Sequence, residues 1–173
     1  MIRASRRAVL GGALVVPAVS GLAAWRIRRG EQRVLLHDPS LDAGRRFAEA
    51  GGMSRAIEGD RIRFARDVFA ANPALVAGVS RHADLVLIAD VAAEMGYVLA
   101  AEFEGRGRQC SPGKCLPGWG ALGRVASAAG HGWAEALGSW AADPRAAMPA
   151  AGRKTQARPD AGLALGWVLV PRG

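Results

Sequence analysis

Ala74-Leu75-Val76-Ala77-Gly78-Val79 is six residues long and carries no charge and no polar side chain, and it is bounded by Asn72-Pro73 before and Ser80-Arg81-His82 after. A short apolar run between turn formers predicts a strand covered on both faces, the situation of a central strand in a sheet with helices above and below it. A helical pattern follows from about Arg81 to Met95, with Leu85, Ile88, Val91, Ala92 and Met95 directed inward and Gly96 closing it. Val86 and Leu87 fall off that face, so this helix is apolar nearly all round apart from Asp90 and Glu94. It is either well buried or in contact with another chain.

Working outward, short apolar runs alternate with amphipathic stretches. Val34-Leu35-Leu36 reads as the first strand; Asp38-Pro39-Ser40 turns the chain, Ser40 is placed to cap a helix, and Gly51-Gly52 ends that helix. Arg55-Ala56-Ile57-Glu58 is the second strand by position. Asp60 is an N-cap for a helix with Phe64, Ala65, Val68 and Phe69 on one face. From Tyr97 to Glu104 the chain alternates, with Val98, Ala100, Glu102 and Glu104 on one side and Tyr97, Leu99, Ala101 and Phe103 on the other, as in a strand with one partly wet face. Two helical patterns lie between Trp119 and Ala142, where Trp119, Trp133 and Trp140 read as core. The apolar run Leu163 to Val170 reads as a strand that must return to the sheet. The class is α/β: a small, mostly parallel sheet with helices on both faces, three layers in a single domain.

The chain has 173 residues and a formal net charge of +8. Three of its basic residues, Arg3, Arg6 and Arg7, precede residue 24 in a segment without acids, and others gather at Arg26, Arg28 and Arg29 and at Arg153, Lys154 and Arg158. Between Arg33 and Glu104 acids and bases nearly balance. No basic stripe interleaved with aromatics is present, which argues against nucleic-acid binding. The organisation expected is 1–24 as signal or anchor, 25–32 as a basic linker, 33–142 as the α/β domain with a Cys-Cys loop, 143–162 as a flexible Pro/Ala/Arg-rich linker and 163–173 as a C-terminal strand.

A basic head and then an uncharged stretch from Ala8 through Ala24 have the layout of a secretory signal. Ser5-Arg6-Arg7-Ala8-Val9-Leu10 resembles the twin-arginine signal pattern, with Val9 where an aromatic is usual and Gly11 where a lysine is common. The resemblance covers this segment alone. It implies a bacterial protein exported by the twin-arginine translocase, through Arg6 and Arg7, to the periplasm. There it is either soluble or tethered to the inner membrane by an uncleaved segment, whose seventeen uncharged residues are near the lower limit for a span.

Cys110 and Cys115, the only two cysteines, flank Ser111-Pro112-Gly113-Lys114; in an exported chain that spacing reads as a structural disulfide. No metal site or cofactor is indicated. In open parallel sheets ligands bind beyond the carboxyl ends of the strands, and the residues there are His37, Asp38, Asp60, Ser80, Arg81, His82 and Glu104. Taken singly they are caps and turn formers; His37, Asp60, Ser80, Arg81 and His82 are the ligand-binding candidates, with an anion at the start of the third helix. Gly78-Val79-Ser80-Arg81-His82 comes near the nucleophile elbow G-x-S-x-G, with His82 in place of the second glycine. Three readings follow: a non-enzymatic binding or accessory protein taking a small anion, a small serine-type hydrolase using Ser80 and His82, and a structural protein docking on a partner or a second copy through its apolar third helix.

Overall fold

The computed structural model describes residues 32–104, 115–144, 160 and 163–172. The export segment, Cys110 and most of the expected 143–162 linker lie outside the described residues. No described helix is long and apolar enough to cross a membrane.

Five strands form one sheet: β1 (Arg33–His37), β2 (Arg55–Ala56), β3 (Leu75–Arg81), β4 (Tyr97–Glu104) and β5 (Ala164–Pro171). Their order is β2-β1-β3-β5-β4. β1 is parallel to β2 and β3, and β5 is antiparallel to β3 and β4. Four strands therefore share one direction and β5 alone is reversed. The apolar run at 75–79 holds the centre, as its composition requires, and the C-terminal strand does return to the sheet. It enters between β3 and β4, which direction-blind apolar patterning could not foretell.

Helices α1 (Asp42–Gly51), α2 (Arg61–Ala70), α3 (His82–Glu94), α4 (Gly120–Ala129) and α5 (Trp133–Ala142) cover both faces, with a 3-10 turn at Gly130–Gly132. Alternation along the strands divides the core. Leu35, Leu75, Ala77, Val79, Val168 and Val170 pack with Phe47, Leu122, Trp133, Leu137 and Trp140 of the α1, α4 and α5 layer. Leu36, Val76, Leu165, Trp167 and Leu169 face Val68, Phe69, Leu85 and Ile88 of α2 and α3. Trp119 and Trp140 meet edge to face, with centroids 6.3 Å apart. A Cβ on Gly138 would overlap the Phe47 carbonyl, so glycine is what lets α5 approach α1.

Three local expectations change. Ser40 does not cap α1, because the N-cap position falls to Leu41, which has no capping side chain. Ser80 does not cap α3 either: β3 runs on to Arg81, which takes the N-cap position. In β4 a bulge between Leu99 and Ala101 inserts one residue and exchanges the sides beyond it, so Glu102 lies opposite Trp167 and is buried rather than wet. Asp60 caps α2 as expected, accepting from the backbone N–H of Ile62 and Arg63.

Candidate functional site

The parallel half of the sheet ends in one row, with His37 in register with Ala56 and Val79. Beyond it the chain turns through Asp38-Pro39-Ser40 into α1. The Asp38 backbone N–H donates to the Val79 carbonyl at 2.9 Å, which fixes the turn to the end of β3. A Cβ on Gly44 would collide with the Asp38 carbonyl, so the turn folds onto α1 only because residue 44 is glycine.

Asp38, Ser40 and Arg81 close a ring. Asp38 Oδ1 accepts from the Ser40 backbone N–H at 2.8 Å and from Ser40 Oγ at 2.6 Å. Asp38 Oδ2 is 3.3 Å from Arg81 Nε. Arg81 Nη2 in turn donates to Ser40 Oγ at 3.0 Å. The Asp38 side chain is 9% exposed and that of Arg81 52%, so a buried carboxylate holds a guanidinium whose outer part faces solvent. A local Asx-type turn thus fixes a guanidinium at the strand ends, its charge offset by the Asp38 carboxylate.

Beside this ring lies the start of α1. Its first N–H groups are met from a distance: Asp42 N–H donates to Asp160 Oδ1 and Ala43 N–H to Asp160 Oδ2, both at 2.8 Å. Asp160 stands just ahead of β5, its carbonyl accepting from Leu163 N–H at 2.8 Å. Both carboxylate oxygens sit on successive backbone donors, the geometry in which a helix N-terminus holds an anion.

Further along α1, Arg46 binds Asp42 at 3.0 Å, Glu135 of α5 at 2.9 Å and the His131 carbonyl at 2.9 Å. Burial acts to lower the Arg46 pKa, but the hydrogen bond and charge of Glu135, with Asp42 adding to them, leave it above the ordinary arginine value. Arg45 closes the other flank by donating to the Pro39 carbonyl at 2.8 Å.

The candidates named from sequence divide. Arg81 belongs to the ring. His37 is part-buried next to it, Nδ1 lying 3.1 Å from Ser54 Oγ. Asp60 is occupied as the α2 cap. His82 is exposed on α3. Ser80 is fully buried on the opposite face of the sheet, where its Oγ accepts from Trp167 Nε1 at 2.9 Å and donates to the Arg81 carbonyl at 3.1 Å. The start of α3, proposed from sequence as an anion site, carries its own acid: Asp84 is buried and paired with Arg61 at 2.7 Å. No group of three or more metal-ligating side chains occurs among the described residues.

Sequence reasoning passed over Asp160, which fell in the stretch read as linker, and treated Asp38 and Ser40 as turn formers only. The structure supplies the reason: the N-cap position falls to Leu41 rather than Ser40, so the first N–H groups of α1 take their acceptor from elsewhere. The chain matches no protein-family model, no curated protein and no solved structure.

Proposed function

We propose that the protein is an exported binding or accessory protein, without a reaction of its own, that takes a small carboxylate- or phosphate-bearing ligand at the turn between β1 and α1. The observation that carries this reading is the seat of Asp160, a carboxylate resting on two backbone N–H groups with the half-exposed Arg81 guanidinium on the neighbouring turn. Asp160 is an internal occupant of the place that a ligand's anionic group would take. The hydrolase reading lacks comparable support, since both the proton and a lone pair of Ser80 Oγ are engaged and Ser80 is fully buried.

Export to the periplasm, by way of Arg6 and Arg7, and a disulfide between Cys110 and Cys115 belong to the same proposal. The twin-arginine resemblance supports the first. The second has the compartment in its favour, and no described cysteine is a free thiol.

Asp160→Ala tests the ligand site by rescue. The variant should melt several degrees below the wild type, and acetate or phosphate should recover part of that loss beyond a chloride control of equal ionic strength. Adding Arg81→Ala should remove the recovery. If no anion restores the variant beyond chloride, Asp160 is a structural cap and the binding reading fails.

A further inference from the structure

The layer of α2 and α3 lies on the face of the sheet opposite the α1, α4 and α5 layer, and its outer surface is unusually apolar at one place. On α3 the residues Leu85, Ile88, Val91 and Ala92 are buried against the sheet. On the other side of the same helix Val86 is 51% exposed and Leu87 42%, in company with exposed Ala83 and Ala93. Two large apolar side chains side by side in water, among alanines that permit close approach, form a surface suited to another helix.

The charges on this surface say which helix. His82, Val86, Asp90 and Glu94 follow one another at four-residue spacing and so form a single ridge along α3. His82 stands at its N-terminal end and Asp90 and Glu94 at its C-terminal end, with no base in the last turn of α3 itself; Glu94 is met by Arg66 of α2 at 3.7 Å. The two acids at the C-terminal end run against the helix dipole, which favours bases there. Asp84, the acid in the first turn, is turned inward onto Arg61. A second α3 laid antiparallel across the first relieves the mismatch. With the two-fold axis at Val86, His82 of each copy lies opposite Asp90 of the other, and the two dipoles oppose.

We infer that the exposed ridge of α3 is the interface of a homodimer, formed by antiparallel pairing of α3 with α3 of a second copy about a two-fold axis at Val86. The surface is self-complementary, as an isologous contact must be. A 13-residue helix is about 20 Å long. Its single face buries less than the roughly 800 Å² per partner of a standard interface, so the dimer is concentration-dependent. The site at the β1–α1 turn plays no part in it.

Sedimentation of the purified chain over a concentration series tests the pairing. The wild type should pass from monomer to dimer with a dissociation constant below about 1 mM. Leu87→Glu and, separately, Asp90→Arg should each raise that constant at least tenfold without altering the far-UV spectrum, since both side chains are exposed. His82→Glu combined with Asp90→Arg should restore dimerisation to within a few-fold of the wild type, because it places a glutamate opposite each introduced arginine in the register that sets residue 82 against residue 90. A wild type that stays monomeric throughout overturns the inference and leaves the ridge to a foreign helix. A dimer indifferent to Leu87→Glu and Asp90→Arg overturns it as well, and failure of the double variant to recover overturns the antiparallel register.

Discussion

The indole of Trp167 lies where a side chain of residue 78 would be, and its Nε1 donates to Ser80 Oγ at 2.9 Å two residues further along the same strand. The pairing of β3 with β5, which sets Gly78 opposite Trp167, is thus locked by a shape contact and a hydrogen bond at once. A Cβ at residue 78 has no room unless the ring moves. Gly78→Ala should destabilise the protein by about 1–3 kcal/mol through overpacking, read as a lower urea midpoint with an unchanged slope. A wild-type midpoint would show that the ring is free to shift.

The same contact bears on reactivity. Because Ser80 is buried and its hydroxyl engaged on both sides, a fluorophosphonate probe should leave it unlabelled in the folded protein. Stoichiometric labelling would put the serine-hydrolase reading ahead of the binding one.

Arg46 joins α1 to α5 through Glu135, and the two side chains are 17% and 31% exposed. Partial burial strengthens the pair relative to a surface one, so a double-mutant cycle with Arg46→Met and Glu135→Gln should give a coupling of about 1–2 kcal/mol. The Arg46 pKa is raised in the folded protein, so its contribution is complete below the unfolded arginine value and is lost only as pH rises through the folded one. Stability measured between pH 5 and 9 should therefore show no step from this group. A coupling near zero would mean that Arg46 acts through Asp42 and the His131 carbonyl alone.

Replacing Arg6 and Arg7 together by lysine keeps the charge of the N-terminal segment and removes what the twin-arginine pathway reads. The doubly substituted protein should accumulate in the cytoplasm, measured by cell fractionation. Normal arrival in the periplasm would remove the pathway assignment.

Thiol alkylation of the protein isolated without reductant should leave both cysteines unmodified. Closing so short a loop contributes about 2 kcal/mol on the chain-entropy estimate, so Cys110→Ser with Cys115→Ser should lower stability by that order while leaving the fold. Cys115 is paired with Ala101 at the edge of β4, where a stiffened loop would help the isolated bridge persist. Two alkylated thiols would dismiss the disulfide.

Much of the fold was legible in particular residues. The charge-free run at 74–79 marked the central strand, Asp60 marked the start of α2, and the spacing of Leu85, Ile88, Val91 and Ala92 marked the buried side of α3. Val86 and Leu87 fall outside that spacing, which left burial and exposure both open, and the structure exposes both. What escaped depends on contacts between distant residues. A bulge at Ala100 has no signature in the alternation it interrupts, and the reversal of β5 is invisible in an apolar run that reads the same either way. The site divided on the same line. Arg81 was found because it follows a strand, whereas Asp160 acts on residues 117 and 118 positions earlier, and nothing local announces such a cap.

The position of β5 also constrains the order in which the molecule can be completed. During synthesis β3 and β4 emerge as neighbours in sequence, but they cannot pair with each other as in the finished sheet, because the strand that belongs between them is still inside the ribosome. Until residue 171 has emerged, the nascent chain holds two apolar strand edges open to water, each a template for whatever extended segment is nearby. Closure then joins residues about ninety positions apart, a slow step by the logic of contact order. A chain that stops before residue 164 therefore leaves β4, and the edge of β3 that β5 covers, without a partner strand.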